Sequence, residues 1–423
     1  MNTLFVGIDV STKHNQACAM NFNQLTYFNK SFANNPDGSL LLFDNVVQLL
    51  QDNHFDSIIF VAESTSVYDY HICAFLVDQL SQLNIVTKVY SVNAKTIKNY
   101  KKSYIETEKT NPGDAFYCAD FARVGRTNSL LPFKANQFIA IKRLTRERVH
   151  LAQQLTREKN YTLNNVYLKV SGLLTMDKKD RPFSENFSAA NIRFLTEFAY
   201  PTDLEEMSLD QTIAYLQAAS KNNGNTNYEK MATLLKQAIR NSYRLDKTSY
   251  DPITISIAAS VNIIECIENQ IKFIDKAIEK EIKGMFPNGY QSLLSIRGIG
   301  PVMAAGILAE IGDISYFPND AALAKYIGLT WKKNQSGDFN ADDKKSASAC
   351  NTYLKYYIIQ ATQLSVIHGF DFTSSFFKKK YNEASTHKQR RALVLTSRKL
   401  IRLIFVLLRD NKMYVSVSHD TDE

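Results

Sequence analysis

The sequence predicts a mixed α/β domain at the N-terminal end and a mostly helical remainder, on three observations. Strand-like and helix-like segments alternate as far as about Pro132, the pattern of a sheet covered by helices. Two stretches, 136–171 and 253–282, then repeat apolar residues every three or four positions with no glycine among them, as long amphipathic helices do. The last part, 287–414, is helical in pattern and turns strongly basic toward its end. At 423 residues and roughly 150 residues per domain, two or three domains are expected.

Taken in order, residues 4–8 (LFVGI) and 58–62 (IIFVA) are continuous apolar runs, which suit strands buried on both faces. Residues 40–50 and 68–83 have helical spacing, 85–92 returns to strand character, and 116–123 is helical again after a turn at Pro112-Gly113. In the first long helix Ile141, Leu144, Leu151 and Leu155 share a seam, with Arg143, Arg146, Glu147, Arg157 and Glu158 elsewhere. The second carries Ile257, Val261, Ile264, Ile267, Ile271, Ile274, Ile278 and Ile282. Period alone leaves open whether the two helices pair within one chain or join copies of it. Between them, 172–250 reads as a polar, helix-prone insertion with a loop at 221–227. The domains expected are therefore 1–133, a helical connection at 134–286, a C-terminal domain at 287–415 and an acidic tail at 416–423.

Composition excludes several classes. Hydrophobic residues at 45% and charged residues at 22% are ordinary globular values, which argues against a disordered or collagen-like chain. The five cysteines (Cys18, Cys73, Cys118, Cys266, Cys350) are scattered without a C-x-x-C pair, so neither a zinc site nor a disulfide framework is indicated and a reducing, cytoplasmic setting is expected. No run of about 18 uninterrupted apolar residues occurs, so no membrane partner is expected. The formal charge of +8 permits a polyanionic partner. Much of the surplus lies in 376–402, where nine Lys and Arg face the single acid Glu383. Such a run suits either a solvated helix face or a phosphate-binding one.

Candidate chemistry begins with acids at strand ends. Asp9 in VGIDVS and Glu63 in FVAEST emerge where two neighbouring strands could hold both carboxylates, and hard oxygen donors of that kind suit Mg²⁺. Either acid alone could equally end a strand or cap a helix. Asp114, in KTNPGDA, falls in the first turn of the next helix, where the helix dipole favours a carboxylate in any case. Further on, LLSIRGIGPVMAA has the pattern of a helix-hairpin-helix, in which Arg297, Gly298 and Gly300 would let a backbone approach phosphate. Ser336 sits beside Gly337 in GLTWKKNQSGD, near Lys332 and Lys333. A serine is a poor nucleophile without a base, cation or metal beside it, and no histidine lies near it in sequence.

VGIDVS, FVAEST, KTNPGDA, LLSIRGIGPVMAA, IGLTWKKNQSG and HKQRRALVLTSRKLIRLIFVLLRD, in that order, resemble the motifs of the DEDD-type insertion-sequence transposases. These are similar to Piv-type DNA invertases and include bridge-RNA-guided recombinases. The motifs cover about 1–125 and 290–412. The resemblance implies an RNase H-like (RuvC-like) N-terminal domain, a coiled-coil connection and a C-terminal transposase domain with a nucleophilic serine. Asp9, Glu63 and Asp114 match three of the family's four acids, and Ser336 matches its serine. The remaining acid, in the family pattern K-T-D-x-x-D-A, falls on Asn111, a neutral oxygen donor that supplies one less negative charge to a metal. Glu106 or Glu108 could compensate. Cys350 stands where the family has glycine, and Asn351 to Lys355 keep part of a helix start that is usually more basic.

What the resemblance implies is a DNA recombinase in which Ser336 forms a covalent phosphoserine link with DNA, assisted by Mg²⁺ on Asp9, Glu63 and Asp114, with Asn111 as a candidate further ligand. Serine and acids lie more than 200 residues apart, so a composite site within or between subunits is expected, in a homodimer or homotetramer. Donor and target DNA would be selected by a structured guide RNA, leaving the protein to hold backbones with Lys388, Arg390, Arg391, Arg398 and Lys399, in the bacterial cytoplasm at the nucleoid. Two alternatives follow from the same residues: a RuvC-like metal-dependent nuclease whose serine is incidental, and, because of Asn111, a decayed nucleic-acid-binding protein.

Overall fold

A computed structural model describes residues 2–104, 111–130, 132–133, 139–220, 226–285, 287–330, 335–336, 339–340 and 350–415. The chain divides into two compact units, Met1–Gln137 and Phe138–Glu423.

The first unit contains β1 (Thr3–Val10), β2 (His14–Met20), β3 (Thr26–Ala33), α1 (Pro36–Asp52), β4 (Ser57–Ser64), α2 (Asp69–Leu80), β5 (Val86–Asn93), α3 (Ala94–Lys101) and α4 (Asn111–Arg123). Its sheet has the order β3-β2-β1-β4-β5. β1 to β3 form an antiparallel meander, while β4 lies parallel to β1 and β5 parallel to β4. One sheet face, with Leu4, Val6, Ile8, Ile58 and Phe60, packs against Leu42 and Val46 of α1 and Ile72 and Leu76 of α2. The opposite face, with Phe5, Val61, Tyr90 and Val92, packs against Ile97 of α3 and Ala115, Cys118 and Ala119 of α4. Covering both faces is why 4–8 and 58–62 are apolar without alternation. Gly7 sits under α4, where a Cβ would come within 2.2 Å of Ala115 O and Ala119 N. Only glycine lets the helix lie this close to the central strand.

β2 and β3 add to the alternation read from sequence. β2 buries Ala17, Cys18, Ala19 and Met20, mostly small side chains that give little hydrophobic signal. In β3 the buried pair Phe28 and Phe32 lies four residues apart, a spacing that both strand and helix periods allow.

The second unit begins with α5 (Ile139–Lys169), α6 (Gly172–Thr175), α7 (Ala189–Glu197), α8 (Pro201–Glu206), α9 (Leu209–Ala219), α10 (Tyr228–Arg240) and α11 (Lys247–Met285). α5 and α11 pair with each other and run antiparallel. Arg148 meets Asp275 at 2.6 Å, Lys159 meets Glu268 at 2.6 Å and Asn165 meets Ser256 at 3.0 Å, so positions rise on one helix as they fall on the other. The long helices thus form a hairpin within one chain. α11 is long and apolar enough by composition to cross a membrane, and here it lies along α5 through these polar pairs.

Residues 172–250 have a core of their own. Leu173, Phe194, Leu204, Leu216, Leu235 and Ile239 enclose it together with Val166 and Val170 near the end of α5 and Ile257 and Val261 of α11. Lys169 is buried at this junction and donates to Leu195 O at 2.8 Å, Phe198 O at 2.6 Å and Thr254 Oγ1 at 2.5 Å. Its three donors tie three helical segments together, and burial pushes its ammonium down to about 8.

The remaining elements are α12 (Pro287–Leu294), α13 (Pro301–Ile311), α14 (Asp320–Ile327), β6 (Gln335–Ser336), β7 (Phe339–Asn340), α15 (Thr352–Ile367), α16 (Asp371–Glu383) and α17 (Lys388–Asp410). The helices among them pack with Ile141 and Val149 of α5 and Ile278 and Ile282 of α11 around Leu293, Ile307, Leu323, Tyr357, Leu400 and Ile404. The α5–α11 hairpin therefore carries a separate core at each end.

Candidate active site

The first unit places its acids by register. β1 and β4 pair Ile8 with Ala62, so one step further along these parallel strands Asp9 lies beside Glu63. Both project from the face that α4 covers, since Gly7 and Val61, two residues earlier, meet that helix. α4 starts at Asn111 and brings Asp114 in its first turn over the same end of the sheet. Its start is held by Asn29 of β3, whose side chain donates to Pro112 O at 2.9 Å.

The three carboxylates feel one another. Burial chiefly, and then Asp114, push the Asp9 carboxyl above its usual range, while Lys101 draws it back. Glu63 is raised by burial, opposed by Lys101, and raised further by Asp9 and Asp114. The buried Cys118 thiol behind them is pushed well up by burial and by the nearby acids. Lys101, the last residue of α3, is ion-paired with Asp114.

The serine of the second unit lies on a different kind of element. β6 and β7 pair over two residues each, Gln335 with Asn340 and Ser336 with Phe339. This places the Ser336 backbone in a short antiparallel pair, while its side chain lies outside the described residues. Tyr326, near the end of α14, and Asn351, just before α15, stand on either side of this pair in sequence and are fastened together. Asn351 N donates to Tyr326 O at 2.9 Å. Its Nδ2 donates to Glu310 Oε2 at 2.8 Å and to Tyr326 OH at 3.0 Å, and its Oδ1 caps α15 by accepting from Leu354 N at 3.0 Å. Glu310, fully buried, in turn accepts two bonds from Arg146 of α5, at 2.6 and 3.0 Å. Arg146 stacks 4.6 Å from the Tyr353 ring centroid.

Comparison with known proteins bears on both regions. A transposase family model for the DEDD transposases of IS110 matches residues 6–167, taking in all three acids. A second, described as "Transposase IS116/IS110/IS902 family", matches 290–381, taking in Ser336 and its two roots. The chain belongs to the IS110/IS116/IS902 transposase family. The insertion element IS116 uncharacterized 44.8 kDa protein of Streptomyces clavuligerus is 20% identical over 97% of this chain and 96% of that protein. The insertion element IS110 uncharacterized 43.6 kDa protein of Streptomyces coelicolor is 27% identical over 33% of this chain and 34% of its own length. Family membership makes this an insertion-sequence transposase, an enzyme that breaks and joins DNA, and the DEDD type points to a divalent metal without fixing which one.

The donor chemistry of the transposase suits such a metal: hard carboxylate oxygens in negative excess, with one ammonium among them. Mg²⁺ keeps several waters and needs only a few protein carboxylates. Among the described residues no three His, Cys, Asp or Glu side chains close into a metal-holding cluster, so with Lys101 on Asp114 the acids stand as an open set. The side chain of Asn111 lies outside the described residues, as do Glu106 and Glu108.

The basic candidates divide. Lys388, Arg390 and Arg391 are exposed at the start of α17, a helix with no acid in its first turn and no side-chain cap. Arg398 instead pairs with Asp320 of α14 at 3.0 Å. Lys399 donates to Phe372 O at 3.0 Å and lies 4.2 Å from the Phe372 ring centroid. Both hold α17 to its neighbours. Arg297 is exposed. Gly298 adopts φ +96° and a Cβ there would meet Ser365 Cα at 2.5 Å, whereas Gly300, ahead of α13, has nothing within 4 Å of where a Cβ would lie. Lys332 and Lys333 lie outside the described residues.

Sequence reading missed Lys101, Asp120, Tyr326 and the Glu310–Arg146 pair. Lys101 is one of six lysines between 88 and 109 and nothing in the pattern singles it out. An acid inside the apolar run of α13 was the one signal that could have flagged Glu310, because an uncompensated buried carboxylate is costly.

Proposed function

We propose that this transposase is an RNA-guided recombinase that cuts and rejoins DNA through Ser336, with Mg²⁺ on the carboxylates of Asp9, Glu63 and Asp114. The observation that carries the reading is the coupled acid set at the ends of β1, β4 and the start of α4. The strand order, with an antiparallel meander followed by two parallel strands, supports an RNase H-like domain. The turn between α12 and α13, with open space at Gly300, supports a helix-hairpin-helix.

In the reaction, Ser336 Oγ attacks a DNA phosphorus. An Oγ–P bond forms, the bond from phosphorus to one sugar oxygen breaks, the serine proton passes to solvent and the leaving oxygen takes one up. When bound, Mg²⁺ would supply positive charge to the phosphate oxygens and lower the barrier to ionising the hydroxyl. Attack by a new DNA hydroxyl on the phosphoserine reverses the step and joins strands. The fastened roots at Tyr326 and Asn351 fix where the serine hairpin leaves the core. Lys388, Arg390, Arg391, Arg297 and the Gly300 turn hold phosphates without reading bases, as suits a protein whose sequence choice rests with a guide RNA. Arginine and lysine at a helix N-terminus oppose the dipole, and a DNA or RNA phosphate relieves that. The exposed Ile255, Ile263 and Phe273 on α11 support assembly into a dimer or tetramer. Streptomyces relatives support a bacterial setting, at the nucleoid.

The test is recombination of a paired donor and target DNA in Mg²⁺ with the non-coding RNA transcribed beside the reading frame. Joined product that depends on that RNA is expected. Product formed equally without RNA overturns the guidance, and tight RNA binding with no product under any condition overturns the enzymatic reading of Ser336.

A further inference from the structure

Lys101 reaches the acid set through a fixed mount. Asp120 on α4 is fully buried and accepts from Tyr100 OH, Tyr104 OH, Arg123 Nε at 2.6 Å and Gln24 Nε2 at 3.0 Å. Tyr100 and Tyr104 flank Lys101, so this carboxylate clamps the end of α3 onto α4. Asp114, Tyr117 and Asp120 follow one another at three-residue spacing on one side of α4, and Lys101 lies along that side, paired with Asp114 and 5.8 Å from the Tyr117 ring centroid. Lys101 also draws Asp9 and Glu63 toward their charged forms. One ammonium therefore serves three carboxylates.

We propose that Lys101 is a built-in counter-ion of the acid set, held on Asp114 until a divalent cation displaces it, so that this residue sets how tightly the site takes metal. The proposal rests on the metal reading above. An Asp114 oxygen that accepts from an ammonium is unavailable to a small octahedral cation, and two cations on one carboxylate repel. With Asn111 in place of a fourth acid, the metal has less charge with which to outcompete the lysine. The site then takes metal more readily when something else, such as a DNA phosphate, offers the ammonium another partner.

Calorimetric titration of the full chain with Mg²⁺ and with Mn²⁺ tests this, alongside Lys101→Met, Lys101→Gln, Lys101→Arg and Asp9→Asn. Lys101→Met and Lys101→Gln should bind about tenfold more tightly or better, the size of effect a single nearby charge has on a carboxylate, and show a larger metal-induced rise in melting temperature. Lys101→Arg should stay near the parent, and Asp9→Asn should lose binding. If Met unfolds the protein, Gln carries the comparison. Unchanged or weaker affinity in both neutral variants, with binding still lost in Asp9→Asn, overturns the role of Lys101 and leaves the metal reading standing. Equal tightening in Lys101→Arg also overturns it. No binding by the parent or any Lys101 variant overturns both.

Discussion

The acid set and the short strand pair that carries Ser336 are held by the fold in opposite ways. Asp9, Glu63 and Asp114 sit at the ends of three elements whose bodies are locked in one covered sheet, so the backbone itself brings them together. Ser336 lies on a strand of two residues, and what the fold holds firmly is the pair of points from which its segment leaves and returns. Charge that must be gathered before a metal arrives calls for a rigid support, since like charges would otherwise move apart. On the proposed reading, the serine needs only a defined reach from a fixed base.

That contrast can be broken from either side, with a distant control to calibrate it. The control is Lys169, in the core formed with residues 172–250. Lys169→Met leaves the carbonyls of Leu195 and Phe198 without their donor and should cost on the order of 3 kcal/mol, read by chemical denaturation, with both candidate sites intact. Its pH signature has a definite sign. The ammonium titrates near 8 when folded and near 10.5 otherwise, so between those values the unfolded chain holds a proton that the folded chain has released, and stability rises with pH across that window. In Lys169→Met this rise should be absent.

On the acid side, Gly7→Val drives a side chain into the α4 backbone and should cost about 1–3 kcal/mol. It should also lower metal affinity, because Asp114 moves with α4, and calorimetry reads that loss. On the serine side, Asn351→Ala removes a helix cap and should cost about 1 kcal/mol, while reducing DNA cleavage by far more than that loss of stability explains. If cleavage falls only in proportion to stability, the fastened roots have no part in placing Ser336. The smallest effect is expected at Arg390→Ala and Arg391→Ala. Each should lower the slope of log affinity against log salt by about 0.9 without altering sequence preference.

How much of this was legible in the sequence follows from what each residue has to do. β1 and β4 were legible because strands covered on both faces must be apolar throughout, and Asp9 and Glu63 stood out as the charges that end those runs. The two long helices were legible from their period, but that they pair with each other rests on Arg148–Asp275 and Lys159–Glu268, contacts that no local pattern encodes. β2 escaped because most of what it buries, Ala17, Cys18 and Ala19, is small and gives little hydrophobic signal. Residues 172–250 read as polar because their core is shared with the ends of α5 and α11. Ser336 was legible only through the ordered set of motifs around it. Arg398 and Lys399 belong to a basic run whose sequence cannot tell a phosphate contact from a helix-to-helix tie.

The proposal that DNA cleavage needs both Ser336 and the acid set is tested most directly by the covalent protein–DNA adduct. Denaturing gels and peptide mapping after reaction with DNA, guide RNA and Mg²⁺ should find DNA phosphate on Ser336 in the parent. Adduct should be absent in Ser336→Ala and reduced about 100-fold or more in Asp9→Asn, the scale on which losing charge stabilisation acts. An adduct that persists in Ser336→Ala, or strand cleavage that proceeds there at the parental rate while Asp9→Asn is inactive, would contradict the account and leave a metal-dependent nuclease in its place.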